Sequence, residues 1–315
     1  MKTKLLKLLD ESGFISGEKI ADHLDISRTA VWKQINTLKK HGYKIESQKN
    51  KGYKLLSRPD IPTPEEIQNN LKTKIMGKKI HYFKEINSTN FFAKQLIGKK
   101  PPEGTIIISE IQTKGRGRKQ RTWASPKGGL WFSTILYPKI PPERGMLITM
   151  TCSVAIAEAI KELTNLEPVI KWPNDLLLNG KKICGILTEF DAEIDKINYV
   201  IVGIGINVNN KISDDLKKVA ISIKQAYGKQ ISLVNLIREI IQKIDEKYID
   251  LKSEDFESIK KSWLNYSKII NRKISVHGEK DVLTGIVTDI DNSGCLILKT
   301  DEGFNKIISG DVTYL

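Results

Sequence analysis

A loop of five cations and no acid, held between two apolar runs, constrains this chain more tightly than its length does. The loop is Gln112-Thr113-Lys114-Gly115-Arg116-Gly117-Arg118-Lys119-Gln120-Arg121-Thr122-Trp123. Residues 105–111 before it and 130–136 after it are rich in isoleucine, threonine and aromatics, which predicts strands. Glycines 115 and 117 predict positive φ and a backbone that approaches a ligand closely. Arginine forks match the oxygens of carboxylates and phosphates. A solvated basic hairpin tip and a disordered arginine-glycine grip on nucleic acid are the alternatives. The flanking strands argue against disorder, and the loop is too short for a tail. The expectation is an anion-binding loop that closes over its ligand.

With 315 residues the chain has room for two domains, or three if one is small, and 40% hydrophobic residues suffice for a packed core. No apolar run reaches the roughly 18 residues that span a bilayer. The first residues lack the pattern of a secretory signal. Cys152, Cys184 and Cys295 are odd in number and lack Cys-x-x-Cys spacing, which predicts neither disulfides nor zinc and fits the cytoplasm. The net charge of +14 points to an anionic partner, although much of it is lysine spread along the chain.

Its distribution is more telling. Residues 1–57 hold twelve Lys/Arg against six Asp/Glu, a local +6. Helical spacing over 4–12, a cap at Ser16, and a second cap at Ser27 before the face Val31, Ile35 and Leu38 predict a helix-turn-helix. Two alternating runs around Gln48-Lys49-Asn50-Lys51 add a hairpin with a basic tip, making a winged helix-turn-helix. Ser27, Arg28, Thr29 and Lys33 would meet base edges or phosphates, and Lys49 and Lys51 the backbone. A protein-interaction module is the alternative, and Trp32 reads as core.

Three prolines in Arg58-Pro59-Asp60-Ile61-Pro62-Thr63-Pro64 predict a domain boundary. Beyond it the spacing predicts a helix from Pro64, a strand at 80–83, and a helix through Ile97 capped by Ser88-Thr89-Asn90. A long small-residue helix covers 146–163, and helices follow at 232–250 and 254–266. Asn179-Gly180 between apolar runs predicts a hairpin. One arm would carry Lys171, Asn174 and Asp175 and the other Lys182 and Gly185, with a bulge or edge at Pro173. In Val202-Gly203-Ile204-Gly205-Ile206-Asn207, alternate glycines predict a strand with one open face that leaves space for a flat ligand. It is not a dinucleotide fingerprint, and the sequence has no P-loop. From Ile269, short alternating strands predict a small SH3-like β-barrel.

These parts suit the activation of a carboxylic acid by ATP. Arg116, Arg118 and Lys182 can screen the repulsion between carboxylate and α-phosphate, and Asp175 can hold Mg²⁺ against the phosphates. No nucleophilic Ser/His/Asp or Cys/His set is evident, so no covalent enzyme intermediate is needed.

Gly115-Arg116-Gly117-Arg118, Lys171-Trp172-Pro173-Asn174-Asp175, the Lys182–Gly185 segment and Gly203-Ile204-Gly205-Ile206-Asn207 resemble, in order, the motifs of biotin protein ligases. With the flanking domains, the resemblance extends to the bifunctional subgroup that also represses biotin genes. It implies an α+β chain divided into a winged helix-turn-helix at 1–57, a linker at 58–64, a mixed-sheet, class II synthetase-like ligase domain at 65–268, and an SH3-like barrel at 269–315. It implies biotin contacts at Ser88, Thr89, Asn90, Gln112, Gly115, Arg116, Lys182, Gly185 and Gly203. Adenylate contacts fall at Arg118, Trp123, Lys171, Asn174, Ile206 and Asn207. Lys182, Arg118 and Asp175 are the catalytic set it implies, with Mg²⁺ on Asp175. The partners are a carboxylase's biotin carrier domain, operator DNA, and a second copy in a dimer. Gln120 departs from the glycine or small residue common in that family, which bears on loop closure. A lipoate ligase would carry an Arg-Arg…Ser-Gly-Gly-Gly loop that is missing here, and a repressor without ligase activity is the other rival.

Overall fold

A computed structural model describes residues 2–11, 13–253, 256–278 and 281–315. Position 12, expected to end the first helix, and positions 254 and 255, expected to begin a later one, lie outside the described residues. The chain divides into Met1–Asn69 and Asn70–Leu315.

The first unit is a winged helix-turn-helix. Helices α1 (Lys2–Glu11), α2 (Gly17–Leu24) and α3 (Arg28–Lys40) precede a hairpin of β1 (Lys44–Gln48) and β2 (Gly52–Ser57). Ser16 and Ser27 cap α2 and α3 by accepting from the Lys19 and Ala30 amides. Leu5, Leu9, Ile20, Val31, Ile35 and Leu38 interlock as its core. Trp32 is a correction: it is 56% exposed. At about 100° per residue it stands off the face defined by 31, 35 and 38. The proline segment also packs back on this unit. Arg58 pairs with Asp10 and Glu66, and Tyr43 donates to Glu66 at 2.7 Å, which ties helix α4 (Pro64–Gln68) to the winged helix.

The second unit is built on a seven-stranded mixed sheet. Its strands are β3 (Ile80–Ile86), β4 (Thr105–Gln112), β5 (Leu130–Leu136), β6 (Val169–Lys171), β7 (Asp175–Leu178), β8 (Lys181–Ala192) and β9 (Ile197–Ile206), in the order β3-β4-β5-β9-β8-β7-β6. Only β3 and β4 run parallel. Because side chains alternate, one face carries Ile107, Ser133, Gly203 and Leu187, and helix α5 (Thr89–Ile97) packs on it. Helix α6 (Met146–Thr164) covers the other face, backed by α8 (Leu233–Lys252) and α9 (Phe256–Ser267). A short α7 (Ile223–Tyr227), closed by a capping box at Ser222, was not expected from the sequence. Asp245 on α8 is 3% exposed and accepts from the amides of Lys74, Ile75 and Met76, which anchors the entry to β3.

The segment around Pro173 lies at the sheet edge, as its proline predicts, but the path of the chain differs from expectation. It does not continue one arm; the chain reverses at Trp172–Asn174, and Lys171 pairs antiparallel with Asp175. Proline has no N–H for a ladder, so β6 becomes a separate edge strand. The carboxyl-terminal domain has five antiparallel strands, β10 (Lys273–His277), β11 (Val282–Ile290), β12 (Leu296–Thr300), β13 (Gly303–Ile307) and β14 (Asp311–Tyr314). Its fifth strand, β14, is one the periodicity did not reveal.

Candidate active site

The α5 face of the sheet opens into a cavity of about 420 Å³, within the range of ligand sites. Its floor is the start of α5. Ser88 stands at the N-cap position but makes no capping hydrogen bond, so local structure does not account for it. Thr89 donates its backbone amide to Gln112 Oε1 at 2.8 Å, and Gln112 Nε2 donates to Ser125 at 2.9 Å. Asn90 is 6% exposed and fills the space above Gly203, where a Cβ would overlap its Oδ1. Trp123 covers Gly205 and Gly185, the second of which would bring a Cβ to 3.0 Å from the ring. These two side chains stand over the glycine face, and Gly185, Gly203 and Gly205 still line the cavity, so the space expected there is present but shared. Trp123 Nε1 is buried without a partner among the described residues, a donor left for a ligand.

Opposite the floor stand the charges. Lys182 Nζ lies 2.6 Å from Asp175 Oδ1 and 5.1 Å from the centre of a Trp123 ring. Its backbone amide is held by Val219 O at 2.8 Å, which fixes the root of the side chain. Asp175 Oδ1 is otherwise buried and accepts no well-aligned hydrogen bond. Arg118 Nη1 donates to Asn174 Oδ1 and to Gly310 O, both at 3.3 Å. Burial lowers the Arg118 pKa, while Asp311 and Asp175 oppose the change; a guanidinium keeps its charge. Burial pushes the Cys152 thiol up to about 12 and that of Cys184 upward as well, so neither is a ready nucleophile.

The signature loop takes its shape differently from the expectation. Neither Gly115 nor Gly117 has positive φ; Lys119 and Gln120 do, at 52° and 56°. The Gln120 conformation is one that glycine adopts more readily. Gly115 is needed for packing, because a Cβ there would overlap Trp123 O. Asp311 on β14 holds the loop's outer side, accepting from Arg121 at 2.6 Å and Lys119 at 3.4 Å. Burial alone would raise its carboxyl, but Arg121 and Lys119 outweigh it and keep it below the usual carboxylate range.

Of the residues singled out in the sequence, Ser88, Thr89, Asn90, Gln112, Arg116, Arg118 and Trp123 line the cavity, as do Asn174, Asp175, Lys182, Gly185, Gly203 and Asn207. Gly115, Lys171 and Ile206 do not. Lys171 stands 5.8 Å from the Tyr314 ring centre, Gly115 is packed under Trp123, and alternation turns the fully buried Ile206 to the α6 face. Ser133 and Asp311 were missed. A hydroxyl inside a strand that is buried throughout needs a partner, and that signal could have found Ser133.

The chain matches the Biotin/lipoate A/B protein ligase family over residues 82–207, an HTH domain over 2–54 and the Biotin protein ligase C terminal domain over 269–313. A solved biotin protein ligase from Aquifex aeolicus, in complex with biotin and ATP, superposes with a TM-score of 0.66 at 28% identity, covering 76% of this chain and 99% of that one. The chain belongs to the biotin protein ligase family. Two relatives that match along nearly their whole length carry the name of a bifunctional ligase and repressor. The Bifunctional ligase/repressor BirA of Bacillus subtilis is 41% identical over 99% of this chain and 98% of its own length. The protein of that name from Escherichia coli is 27% identical over 98% and 96%.

Proposed function

We propose that this cavity joins the carboxylate of biotin to AMP and passes the acyl group to a lysine of a carboxylase's biotin carrier domain. The observation that carries the reading is the convergence of Lys182, Arg118 and Asp175 on a polar floor made by Thr89 and Gln112. In the first step a biotin carboxylate oxygen bonds to the α-phosphorus and pyrophosphate leaves. Lys182, released from Asp175, and Arg116 lie between the two anions and stabilise the charge that builds on the phosphoryl oxygens. Arg118, aligned by Asn174, and Asn207 hold the nucleotide, and the unpartnered Trp123 Nε1 marks the space beside it. In the second step the neutral amine of the acceptor lysine attacks the acyl carbon, AMP leaves, and the amine loses a proton.

Among the described residues no three metal-binding side chains cluster. Mg²⁺ carried on nucleotide phosphates needs only one or two carboxylates, and Asp175 fits that role. The ion would neutralise phosphate charge. We assign Lys171, Gly115 and Ile206 no direct contact. The four-part division at 57, 64 and 268 and the cytoplasmic setting belong to the same proposal, as does homodimerisation. No helix among the described residues is long and apolar enough to cross a membrane.

One assay decides among the rivals: protein, ATP, labelled biotin or lipoate, and an apo carrier domain. Label from biotin on the domain supports the ligase. Label from lipoate alone would replace it with a lipoate ligase, and none from either leaves the sensor. Asp311→Ala should raise KM for ATP about threefold, the scale of a solvent-touched ion pair, without raising KM for biotin. Equal KM values in steady-state pyrophosphate release would leave Asp311 no part in holding the loop for ATP.

For the amino-terminal unit, the reading is operator recognition. Helix α3 carries no acid, and its exposed side presents Arg28, Thr29, Trp32 and Lys33 together. An exposed indole among cations suits apolar contact with thymine methyls in a major groove. Trp32→Ala should weaken operator affinity by about tenfold with the salt dependence unchanged, as judged by anisotropy titrations across KCl concentrations. Equal affinity would return Trp32 to a passive role.

A further inference from the structure

The polar floor of the cavity extends beyond the residues that face it. Ser133 on β5 stands directly across from Gly203 on β9, which in turn stands across from Leu187 on β8. Glu189 is two residues further along β8 and therefore on the same face. The Asn90 carboxamide sits in the gap left by Gly203 and reaches all three strands.

The geometry points to Glu189 and Ser133 as positioning residues that fix the hydrogen-bond polarity of the floor, so that the Thr89 hydroxyl offers a lone pair to a ligand N–H. This rests on the reading that the ureido ring of biotin lies on that floor.

The relay starts at the Glu189 carboxylate. Asn90 Nδ2 is 2.7 Å from Glu189 Oε2 and 3.4 Å from Leu187 O. A carboxylate and a carbonyl only accept, so the amide nitrogen must face them. The reversed amide would set oxygen against oxygen. Asn90 Oδ1 is thereby committed to the other side, 2.6 Å from Ser133 Oγ. That oxygen also only accepts, so the single Ser133 proton belongs to it. Ser133 Oγ lies 2.7 Å from Thr89 Oγ1 and is left to accept there. The other neighbour of the Thr89 hydroxyl is Gln112 Oε1 at 3.1 Å, an oxygen already receiving the Thr89 amide. Both neighbours of the hydroxyl therefore accept, and its proton stays inside the protein whichever one takes it. What remains for a ligand is a lone pair, which selects an N–H donor such as a cyclic urea supplies. Glu189 lies outside the cavity lining and acts only through Asn90. Its absence would let the carboxamide rotate, freeing Ser133 to donate to Thr89 and leaving Gln112 Oε1 alone to hold the Thr89 proton away from the ligand.

The test uses the full-length protein with biotin, N-methylated biotin lacking a ring donor, and ATP. Glu189→Ala should raise KM and Kd for biotin about tenfold, the order expected when the buried hydrogen bonds of Ser133 to Asn90 and Thr89 lose their orientation. The split is diagnostic: kcat at saturating biotin and KM for ATP should stay within about twofold. Preference for biotin over the N-methylated form should shrink by a similar factor, which a purely structural loss would not cause. Glu189→Gln keeps an accepting oxygen and should restore most of the affinity. Ser133→Ala should reproduce the Glu189→Ala pattern, and the double variant should be no worse than either single one. Unchanged biotin affinity in Glu189→Ala overturns the relay alone. Parallel losses for biotin and ATP with a lowered Tm also overturn it, because Glu189 would then support the fold. Failure of the unaltered protein to bind biotin overturns the relay together with the reading on which it rests.

Discussion

Replacing Lys182 by alanine is expected to lower the rate of biotinyl-adenylate formation by about 10²–10³-fold, the usual cost of removing one preorganised charge from a developing anion. Three features make the residue suited to that work. Its amide is pinned to Val219 O, so the side chain pivots from a fixed root. Its ammonium rests on Asp175 and near the Trp123 ring, so it is held close to the cavity before substrates arrive. Gly185 leaves room for its path, since a Cβ there would come within 3.2 Å of Lys182 Cε. Asp175 holds the ammonium at rest, and on the proposed reading its carboxylate would hold a phosphate-borne cation once Lys182 has moved away. Single-turnover release of pyrophosphate isolates the chemical step. On the proposed reading Lys182 acts mainly on the transition state, so kcat should fall much further than KM for ATP rises. Lys182→Arg keeps the charge but not the compact ammonium, and it should fall between the two. A rate within twofold of the parent in Lys182→Ala would take this residue out of the mechanism.

What could be read beforehand depended on how local the cause was. Ser16 and Ser27 cap helices through contacts three residues away, and Asn179-Gly180 turns a hairpin by its own backbone preference, so these stand out in a sequence. The motif residues around Lys182 were legible as a set because they fall in a few short segments, and most of them line one cavity, while Gly115, Lys171 and Ile206 do not. Loop shape was not. Glycine at 115 signals freedom of backbone rotation, yet its role is to let Trp123 O approach, which only the folded chain reveals. The space over Gly203 and Gly205 was inferred correctly as space, but its occupants, Asn90 and Trp123, come from elements far away in sequence. Trp32 teaches a different lesson. The spacing of Val31, Ile35 and Leu38 already placed position 32 beside the buried face rather than on it, and the aromatic residue type misled.

A chain beginning at Asn70 is expected to lose operator binding altogether while still forming the adenylate. Arg28, Lys33, Lys49 and Lys51 all lie in the unit that would be removed, whereas every cavity residue lies beyond it. The place of the cut matters. Ending the deletion at residue 57 would leave Arg58 without Asp10 and Glu66 without Tyr43, exposing a helix that had been packed. Cutting between Asn69 and Asn70 removes that network whole. Each cation that meets a phosphate contributes about 0.9 to the slope of log K against log salt. Arg28→Ala and Lys49→Ala in the intact chain should therefore each flatten the slope by roughly one unit, while Trp32→Ala should leave it alone. The truncated chain should show no measurable binding at any salt concentration where the intact chain binds. Retained affinity with a comparable slope would move the nucleic-acid surface to the second unit, where the excess lysine lies. The adenylation rate of the same truncated sample is the internal control: it shows that lost binding reflects the missing unit and not an unfolded one.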